Sequence, residues 1–387
     1  MTVNAVLHIA PCFVDLNKEG GGVANVVRQL CLRQIGAGLR VVLICTNTEL
    51  GAKVAEPAEF IHPSGVEVFI VSQTGSKFTQ VLNAYKVIRT KIADHSTVSV
   101  AHVHTCFSFV TEISMRLLFK ARIPFVFMPH GKLSKHMLST RRLLKQAWWN
   151  IFFKFSISKA SALGLVSKNE IDEFEWWPSM PAACVIPNGF ERPSHNDVSA
   201  NLPEKYLLYL GYLDPRKQPE FLVRAFAASK SSETHYLVFV GPDNYNHAST
   251  INAAIEECNV KDRVVMFGPA YSYLKWAILS KASCICLPSL GEGLPVVLCE
   301  SLGSGTPSIS SVQCNFPALA DNGAGYVIDG FDTATWAQAI DLICLNLRVR
   351  QEMSNAALLM SKQYEWSSVS DKWIALYNQI KLSPVNQ

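Results

Sequence analysis

PSLGEGLPVVLCESLGSGTPSISS, residues Pro288 to Ser311, decides how the rest of the chain is read. It follows Ser283 to Leu287, SCICL, a short apolar run suited to a strand buried on both faces. Gly291-Glu292-Gly293 is a loop able to bring backbone amides close to a ligand. Pro295 fits the first turn of a helix, where its missing N–H costs nothing. Val296 to Leu302 reads as a short helix stopped by Gly303 and Gly305, and Pro307 to Ser311 as the next strand. Glu292 thus falls in a loop and Glu300 on a helix whose N-terminus attracts anions. A sugar nucleotide suits that pattern: diphosphate at the helix start, ribose hydroxyls on Glu300, hydroxyls of the sugar on Glu292. An ordinary strand-loop-helix with two solvated glutamates fits these residues as well.

Outward from this stretch, strands and helices alternate. Toward the C-terminus of the chain the strand-like runs are Leu207 to Leu210, Tyr236 to Val240, Val264 to Phe267, Cys284 to Leu287, Ser308 to Ser310 and Tyr326 to Ile328. Toward the N-terminus they are Ala5 to Ala10, Leu39 to Cys45, Val66 to Val71, Val98 to His104, Phe125 to Met128 and Leu163 to Val166. Helix-length segments, such as Val23 to Ile35, Lys77 to Ile92 and Pro219 to Ala228, lie between several of them. Strands apolar throughout and separated by helices predict an α/β protein with parallel sheets covered on both faces. Ligands of such sheets bind at the carboxyl ends of the strands.

With 387 residues, two domains of about 180 residues each are expected. The polar stretch Glu191 to Glu204 reads as their linker, after the turn Val185-Ile186-Pro187-Asn188-Gly189. This predicts domains over 1–195 and 203–363, with an aromatic helix over about 364–387 packing back on the first. A hydrophobic fraction of 49% with 17% charged residues argues against disorder. The net charge of +4 is too small to imply nucleic acid. Eleven cysteines without a C-x2-C pair, several in apolar runs, read as reduced and buried thiols; Cys284-Ile285-Cys286 reads as strand core. Met1 leads into a strand without a charged n-region, and no apolar run reaches the ~18 residues of a membrane span. A cytoplasmic protein, soluble or peripheral, is expected.

Several strand-end loops carry candidate site residues. Gly20-Gly21-Gly22 precedes a helix, where a phosphate or acceptor hydroxyl can approach closely, although a plain flexible loop fits equally. His130, after the strand FVFM, can present its ring to a ligand or be satisfied by a nearby carbonyl. His102 and His104 share one face of a strand, and His104 stands at its end. Gly211 opens a loop reaching Arg216 and Lys217, two cations at a helix start that suit a diphosphate leaving group. From Lys132 to Lys159 there is no acidic residue. Lys132, Lys135, Arg141, Arg142 and Lys145, interleaved with Trp148 and Trp149, suit an anionic lipid surface or a phosphorylated acceptor. A helix with one core face and one solvated basic face, or a contact with single-stranded nucleic acid, uses the same residue types.

Taken together, these segments resemble retaining glycosyltransferases of family 4. The resemblance covers nearly the whole chain: the Gly20 to Gly22 loop, PHGKLS at His130, the VIPNG turn, the G-x-L-x-x-x-K stretch ending in Lys217, the EGLPVVLCE block and the aromatic C-terminal helix. It implies the GT-B architecture, two Rossmann-like domains with parallel sheets facing a central cleft. It implies that Glu300 binds the ribose and Glu292 lies beside the donor sugar. Gly293, Leu294, Pro295 and Val296 would border the diphosphate and sugar, Lys217 would hold the diphosphate, and His130 would touch the donor sugar. Gly21 and Gly22 would lie over the diphosphate and acceptor. In one departure, Tyr212 stands where the family pattern usually carries an arginine, so Arg216 becomes the candidate second cation.

The function implied is metal-independent transfer, with retention, of a hexose or N-acetylhexosamine from a nucleotide-diphosphate sugar. The acceptor expected is a lipid-linked or membrane-borne saccharide in cell-surface polysaccharide synthesis, on the cytoplasmic face of the membrane. No cofactor beyond the nucleotide-sugar co-substrate, no nucleic acid and no metal are expected; the chain has no D-x-D motif to hold a metal-bound diphosphate. A sugar-nucleotide epimerase or hydrolase of the same fold, or a non-catalytic binding protein, is the competing reading. A dinucleotide-dependent oxidoreductase would need a G-x-G-x-x-G after a first strand, which is missing from both halves.

Overall fold

The computed structural model describes residues 2–18, 22–49, 52–73, 77–93, 98–133, 142–172, 177, 180–193 and 200–382. It divides into two compact units, residues 1–187 with 366–387, and residues 188–365.

The first unit is built on an eight-stranded sheet. Its strands are β1 (Ala5–Ala10), β2 (Arg40–Thr46), β5 (Ala58–Ile61), β6 (Glu67–Val71), β7 (Val100–His104), β8 (Phe125–Met128), β9 (Ala162–Leu165) and β10 (Ala183–Val185). Between β2 and β5, β3 (Thr48–Glu49) and β4 (Ala52–Lys53) form a separate ribbon. The order across the large sheet is β10-β9-β8-β7-β1-β2-β6-β5, all parallel except the edge pair β5–β6. That edge was not expected from the sequence. AEFI is exposed along its whole length, so it lacks the apolar run that marks the inner strands. Nor was β10, whose residues ACV directly precede the predicted turn.

The two faces of this sheet differ in chemistry. Leu7 and Ile9 of β1 and Ala101 and Val103 of β7 point into an aliphatic and aromatic core. On the other face His8 pairs in register with His102, and His104 lies two residues on. Helices Gly22–Gly36 and Trp366–Leu382 pack together, and Trp373 and Tyr377 of the second contact the His102 ring. Gly164 in β9 leaves room for Trp373: a Cβ there would sit 2.6 Å from the indole ring.

The second unit has a six-stranded, all-parallel sheet. Its strands are β11 (Tyr206–Leu210), β12 (Tyr236–Val240), β13 (Val264–Gly268), β14 (Cys284–Leu287), β15 (Ser308–Ser311) and β16 (Gly325–Ile328). Their order, β13-β12-β11-β14-β15-β16, is the 3-2-1-4-5-6 arrangement of a Rossmann fold. The parallel strands of the first sheet repeat that order with a seventh added. In each sheet the direction of winding reverses between strands one and four, at β1/β7 and at β11/β14. Cys284 and Cys286 are buried core residues, beside Cys344.

Two expectations need correction. The division falls at 187/188, not after residue 195, because the segment after Pro187 is anchored to the second unit. The Asn188 amide donates to the Leu294 carbonyl (2.9 Å), and the buried Phe190 ring packs against Trp276. The helix after Pro295 also runs through Gly303 to Ser304 and ends at left-handed Gly305 (φ 72°). Gly303 does not stop the helix. It makes room for Phe190, whose ring would lie 2.2 Å from a Cβ there.

Candidate functional site

The strongest constellation lies at the winding reversal of the second sheet, in the loops leaving β11 and β14. Leu210 ends β11, and Gly211 donates its N–H to the Val240 carbonyl (2.9 Å). Neighbouring Gly241 comes so close that a Cβ on it would lie 1.8 Å from the Gly211 oxygen, so position 241 requires glycine. The chain then makes a single 3-10 turn, Pro215–Lys217, capped by the Asp214 carboxylate on the Arg216 amide (2.8 Å). This turn aims Lys217 across to the β14 loop. Its Nζ lies 2.6 Å from Glu292 Oε1, with both side chains largely buried.

The Ser289 hydroxyl donates to the same Glu292 oxygen (3.0 Å). Two bonds to its backbone fix Glu292 in the loop: the Glu292 N–H donates to the Gln313 carbonyl, and the Asn315 side-chain amide donates to the Glu292 carbonyl (2.7 Å). Burial pushes the Glu292 carboxyl up, but Lys217, Arg216 and the Ser289 hydroxyl outweigh it and hold the group below the ordinary carboxylate range. It is therefore a carboxylate at neutral pH.

Eight residues on, Glu300 lies in the helix Val296–Ser304 and pairs with Lys275 Nζ at 2.7 Å. Lys275 was not anticipated, since nothing in YSYLKWAILSK marks it locally; only the fold brings it to Glu300. Arg216 is placed in the same loop as Lys217, with its guanidinium 3.6 Å from Asp214. Its carbonyl accepts from the Leu290 amide (2.8 Å), which ties the β11 and β14 loops together. Tyr212, at the position of the departed arginine, offers its carbonyl to the Tyr209 hydroxyl (2.7 Å). Gly293 and Pro295 lie between Glu292 and the helix, and Val296 is its first residue. Leu294 is buried, so it offers backbone and not side chain to a ligand. At the start of this helix the Leu298 amide donates to the Pro295 carbonyl (3.0 Å), and the amides of Val296 and Val297 precede any intrahelical acceptor, as in any α-helix.

The corresponding end of the first sheet carries His130. It follows β8 with φ 54°, a left-handed conformation that is uncommon outside glycine, and Gly131 continues it at φ 71°. Its Nε2 lies 3.0 Å from His104 Nδ1, which brings together two histidines that the sequence offered separately. Burial first, and Lys132 second, hold the His130 imidazole down at about 3, so it is neutral at pH 7. Beside it, a pocket of about 390 Å³ opens at the ends of β1, β6 and β7. Gln73, Thr105, Ser108, Lys132 and Trp148 contribute to its wall. Thr105 and Phe107 there have positive φ as well (60° and 59°).

The aromatic members of the basic stretch divide between two environments. Trp148 reaches the pocket and meets Phe109 edge-on. Trp149 does not face an acceptor or a membrane as expected: it is buried, edge-to-face on Trp177 at 5.0 Å. A helical segment two residues wide in aromatics has to send one inward, and spacing alone did not say which. Arg142 and Lys145 lie in the helix Arg142–Trp148. Gly21, Lys135 and Arg141 fall outside the described residues, while Gly22 begins the first helix. Among the described residues, the one histidine, cysteine or carboxylate cluster with metal-like spacing is His8, His102 and His104, away from the Lys217–Glu292 pair in sequence and in a different unit.

Comparison with known proteins agrees with this arrangement. Residues 20–192 match Glycosyltransferase Family 4, and residues 191–360 match Glycosyl transferases group 1. The chain is 27% identical over 179 residues to the D-inositol 3-phosphate glycosyltransferase of Mycolicibacterium smegmatis, covering 46% of this chain and 40% of that protein. It is 25% identical over 197 residues to that of Corynebacterium glutamicum, covering 48% of this chain and 46% of the relative. The matched region thus spans less than half the length of these curated relatives. In fold it is similar to a sucrose-phosphate synthase from Thermosynechococcus elongatus (TM-score 0.77, 20% identity, 97% and 99% of the two chains). It is also similar to Anabaena HepE solved with UDP (TM-score 0.74, 16% identity, 97% and 100%). With its two halves matched in order by the two family descriptions and its two Rossmann-like sheets in place, the chain belongs to glycosyltransferase family 4 and has the GT-B fold.

Proposed function

We propose that the protein transfers a hexose or N-acetylhexosamine from a UDP-sugar, with retention and without a metal, to a lipid-linked or membrane-borne saccharide. The observation that carries the donor half is the Lys217–Glu292 pair at the winding reversal of the second sheet. A largely buried lysine matched to one carboxylate can exchange that partner for a diphosphate oxygen with little new desolvation. Glu292 is then released to hydroxyls of the sugar, and Glu300 accepts hydrogen bonds from the ribose. UDP is the nucleotide in the complexes of HepE, and that supports the choice of base.

In front-face transfer the bond from the anomeric carbon to the diphosphate oxygen breaks as the acceptor oxygen bonds to the same carbon. The acceptor proton passes to the departing oxygen. The protein's part is positioning and charge stabilisation by Lys217, Arg216 and the first-turn amides of Val296–Ser304. The absence of a D-x-D motif supports metal independence.

A membrane-borne acceptor is supported by the surface of residues 142–157. Leu143, Ile151 and Phe155 are exposed there at helical spacing, and Lys154 lies on the same turn as Phe155. Large apolar side chains beside cations suit the boundary of an anionic bilayer. No helix among the described residues is long and apolar enough to cross a membrane. The relatives named for inositol 3-phosphate favour a second reading, in which a soluble phosphorylated acceptor enters the pocket beside Lys132.

Calorimetric titration with UDP, GDP, ADP and their sugar conjugates, chelator present, tests the donor. Selective binding of the UDP series is expected, and no binding of any would overturn the reading. Sedimentation with anionic vesicles tests the acceptor side: Leu143, Ile151 and Phe155 changed together to serine should release the protein. Wild-type protein that stays in solution would favour the soluble acceptor.

A further inference from the structure

Behind His130 runs an unbroken series of buried hydrogen bonds. His130 Nε2 is 3.0 Å from His104 Nδ1, and His104 Nε2 is 3.0 Å from His8 Nδ1. His8 Nε2 is 2.8 Å from Gln34 Oε1. From Gln34, Nε2 lies 3.3 Å from the Tyr377 hydroxyl, which lies 2.7 Å from His102 Nδ1. His8, Gln34, His102, His104 and Tyr377 are all fully buried or nearly so.

A metal ion does not account for the trio His8, His102 and His104. The rings of His102 and His104 stack at 4.1 Å with 23° between planes. Imidazole lone pairs lie in the ring plane, so two stacked rings cannot both aim at one ion. The 3.0 Å separation of His8 Nδ1 and His104 Nε2 is that of a hydrogen bond.

A neutral imidazole has one N–H and one lone pair, and each ring-to-ring bond uses one of each. Fixing the proton on any ring therefore fixes the others. Charged forms do not interrupt the series: burial holds His8 down at about 4, His130 at about 3, and His102 and His104 well below the usual value. Two polarities remain, and the bond lengths choose between them. Hydroxyl donors make short bonds, near 2.7–2.8 Å, and amide N–H donors longer ones. The 2.7 Å contact is then Tyr377 donating to His102 Nδ1, and the 3.3 Å contact is the Gln34 amide donating to Tyr377. That turns the Gln34 oxygen toward His8, which gives it the Nε2 proton. His8 Nδ1 accepts from His104 Nε2–H, and His104 Nδ1 accepts from His130 Nε2–H.

We propose that Gln34, held by Tyr377, fixes the tautomer of His130 through His8 and His104, so that His130 presents an unprotonated Nδ1 to its ligand. Nδ1 takes no partner among the described residues. His130 then accepts a hydrogen bond from a sugar hydroxyl and gives none. Gln34, His8, His104 and Tyr377 are positioning residues. The role at the sugar rests on the proposed sugar-nucleotide donor and on the family resemblance that sets His130 against its sugar; the tautomer does not.

Two-bond proton–nitrogen correlation spectra of protein labelled with ¹⁵N-histidine read the tautomer directly. His130 is assigned by the signal lost in His130→Gln. Wild-type protein at pH 7.5 should show His130 protonated at Nε2; protonation at Nδ1 would overturn the proposal without any variant. Gln34→Met removes the acceptor at similar volume and should mix the His130 tautomers, while Gln34→Glu, which keeps an oxygen there, should preserve the wild-type pattern. An unchanged pattern in a folded Gln34→Met protein also overturns it. With the nucleotide sugar that binds in the calorimetric series, Gln34→Met should weaken the sugar conjugate about five- to tenfold and leave the nucleoside diphosphate unchanged. A merely structural role would weaken both. If the tautomer is as stated but His130→Gln binds the conjugate normally, the sugar-contact reading fails and the tautomer assignment stands.

Discussion

The two sheets reverse their winding in the same way but furnish that point with opposite chemistry. In the first unit it carries four histidines made neutral by burial and joined by hydrogen bonds. In the second it carries ions held in pairs, Lys217 with Glu292 and Lys275 with Glu300. A neutral series transmits direction: which nitrogen bears the proton at one end determines the other. A set of ion pairs stores charge that an incoming anion or hydroxyl can take over.

The largest expected effect separates the two units by pH. Unfolded histidines take up a proton near pH 6.5, whereas His8, His102, His104 and the half-buried His130 in the first unit do not until far lower. The unfolded state therefore binds more protons below pH 6.5, and first-unit stability falls as pH drops from 6.5 toward 4, by about 1.4 kcal/mol per pH unit for each such histidine. In the second unit Glu292 is depressed instead, so its contribution holds down to the ordinary carboxylate range and is lost as the pH falls from there through its lowered pKa. His235, also buried, is lowered there too, one histidine against four. Hydrogen exchange at pH 5.5 against 7.5 should show faster intrinsic-corrected exchange in β1, β7 and β8 than in β11, β12 and β14. Equal acceleration in both units would erase the contrast.

Lys217→Ala comes next. It removes the cation expected to face the leaving diphosphate, and release of nucleoside diphosphate from the donor should slow about 10²- to 10³-fold. A rate within a factor of three of wild type would move that role elsewhere, with Arg216 the first place to look. Glu300→Ala should weaken donor binding about 10- to 100-fold by calorimetry, the loss of charge-assisted hydrogen bonds to the ribose. Unchanged affinity would leave Glu300 as only the partner of Lys275. The smallest effect is structural. Gly303→Ala drives a methyl into the Phe190 ring and should cost about 1–3 kcal/mol. Thermal unfolding should report it in the second unit, while the histidine spectra of the first stay unchanged.

How much of this was legible in the sequence follows from the range of each interaction. Ala5–Ala10, Phe125–Met128, Tyr236–Val240 and Cys284–Leu287 were readable to the residue, because inner strands of a doubly covered sheet are apolar runs, interrupted here only by His8. The exposed edge β5 has no such pattern. Glu292, Glu300 and Lys217 were found because glycines, prolines and charges at strand ends form local signatures. Their salt-bridge geometry was not, since Lys217 and Glu292 are 75 residues apart. Tyr377 was legible only as part of the apolar stripe of the last helix, and Gln34 not at all: their pairing appears once the fold sets residues 343 apart in the chain 3.3 Å apart in space. The boundary near 195 was misplaced because polarity marks a linker well, whereas the anchoring by Asn188 and Phe190 depends on partners more than 80 residues away.

The helix Trp366–Leu382 has a consequence for biosynthesis. It closes the histidine face of the first sheet with Trp373 and Tyr377, yet the ribosome makes it only after the whole of residues 188–365. At about 5–20 residues per second, the nascent first unit waits on the order of ten to forty seconds for its cover. During that interval the histidine face lacks the cover of Trp373 and Tyr377. The half of the molecule that is translated first is therefore the half that finishes folding last.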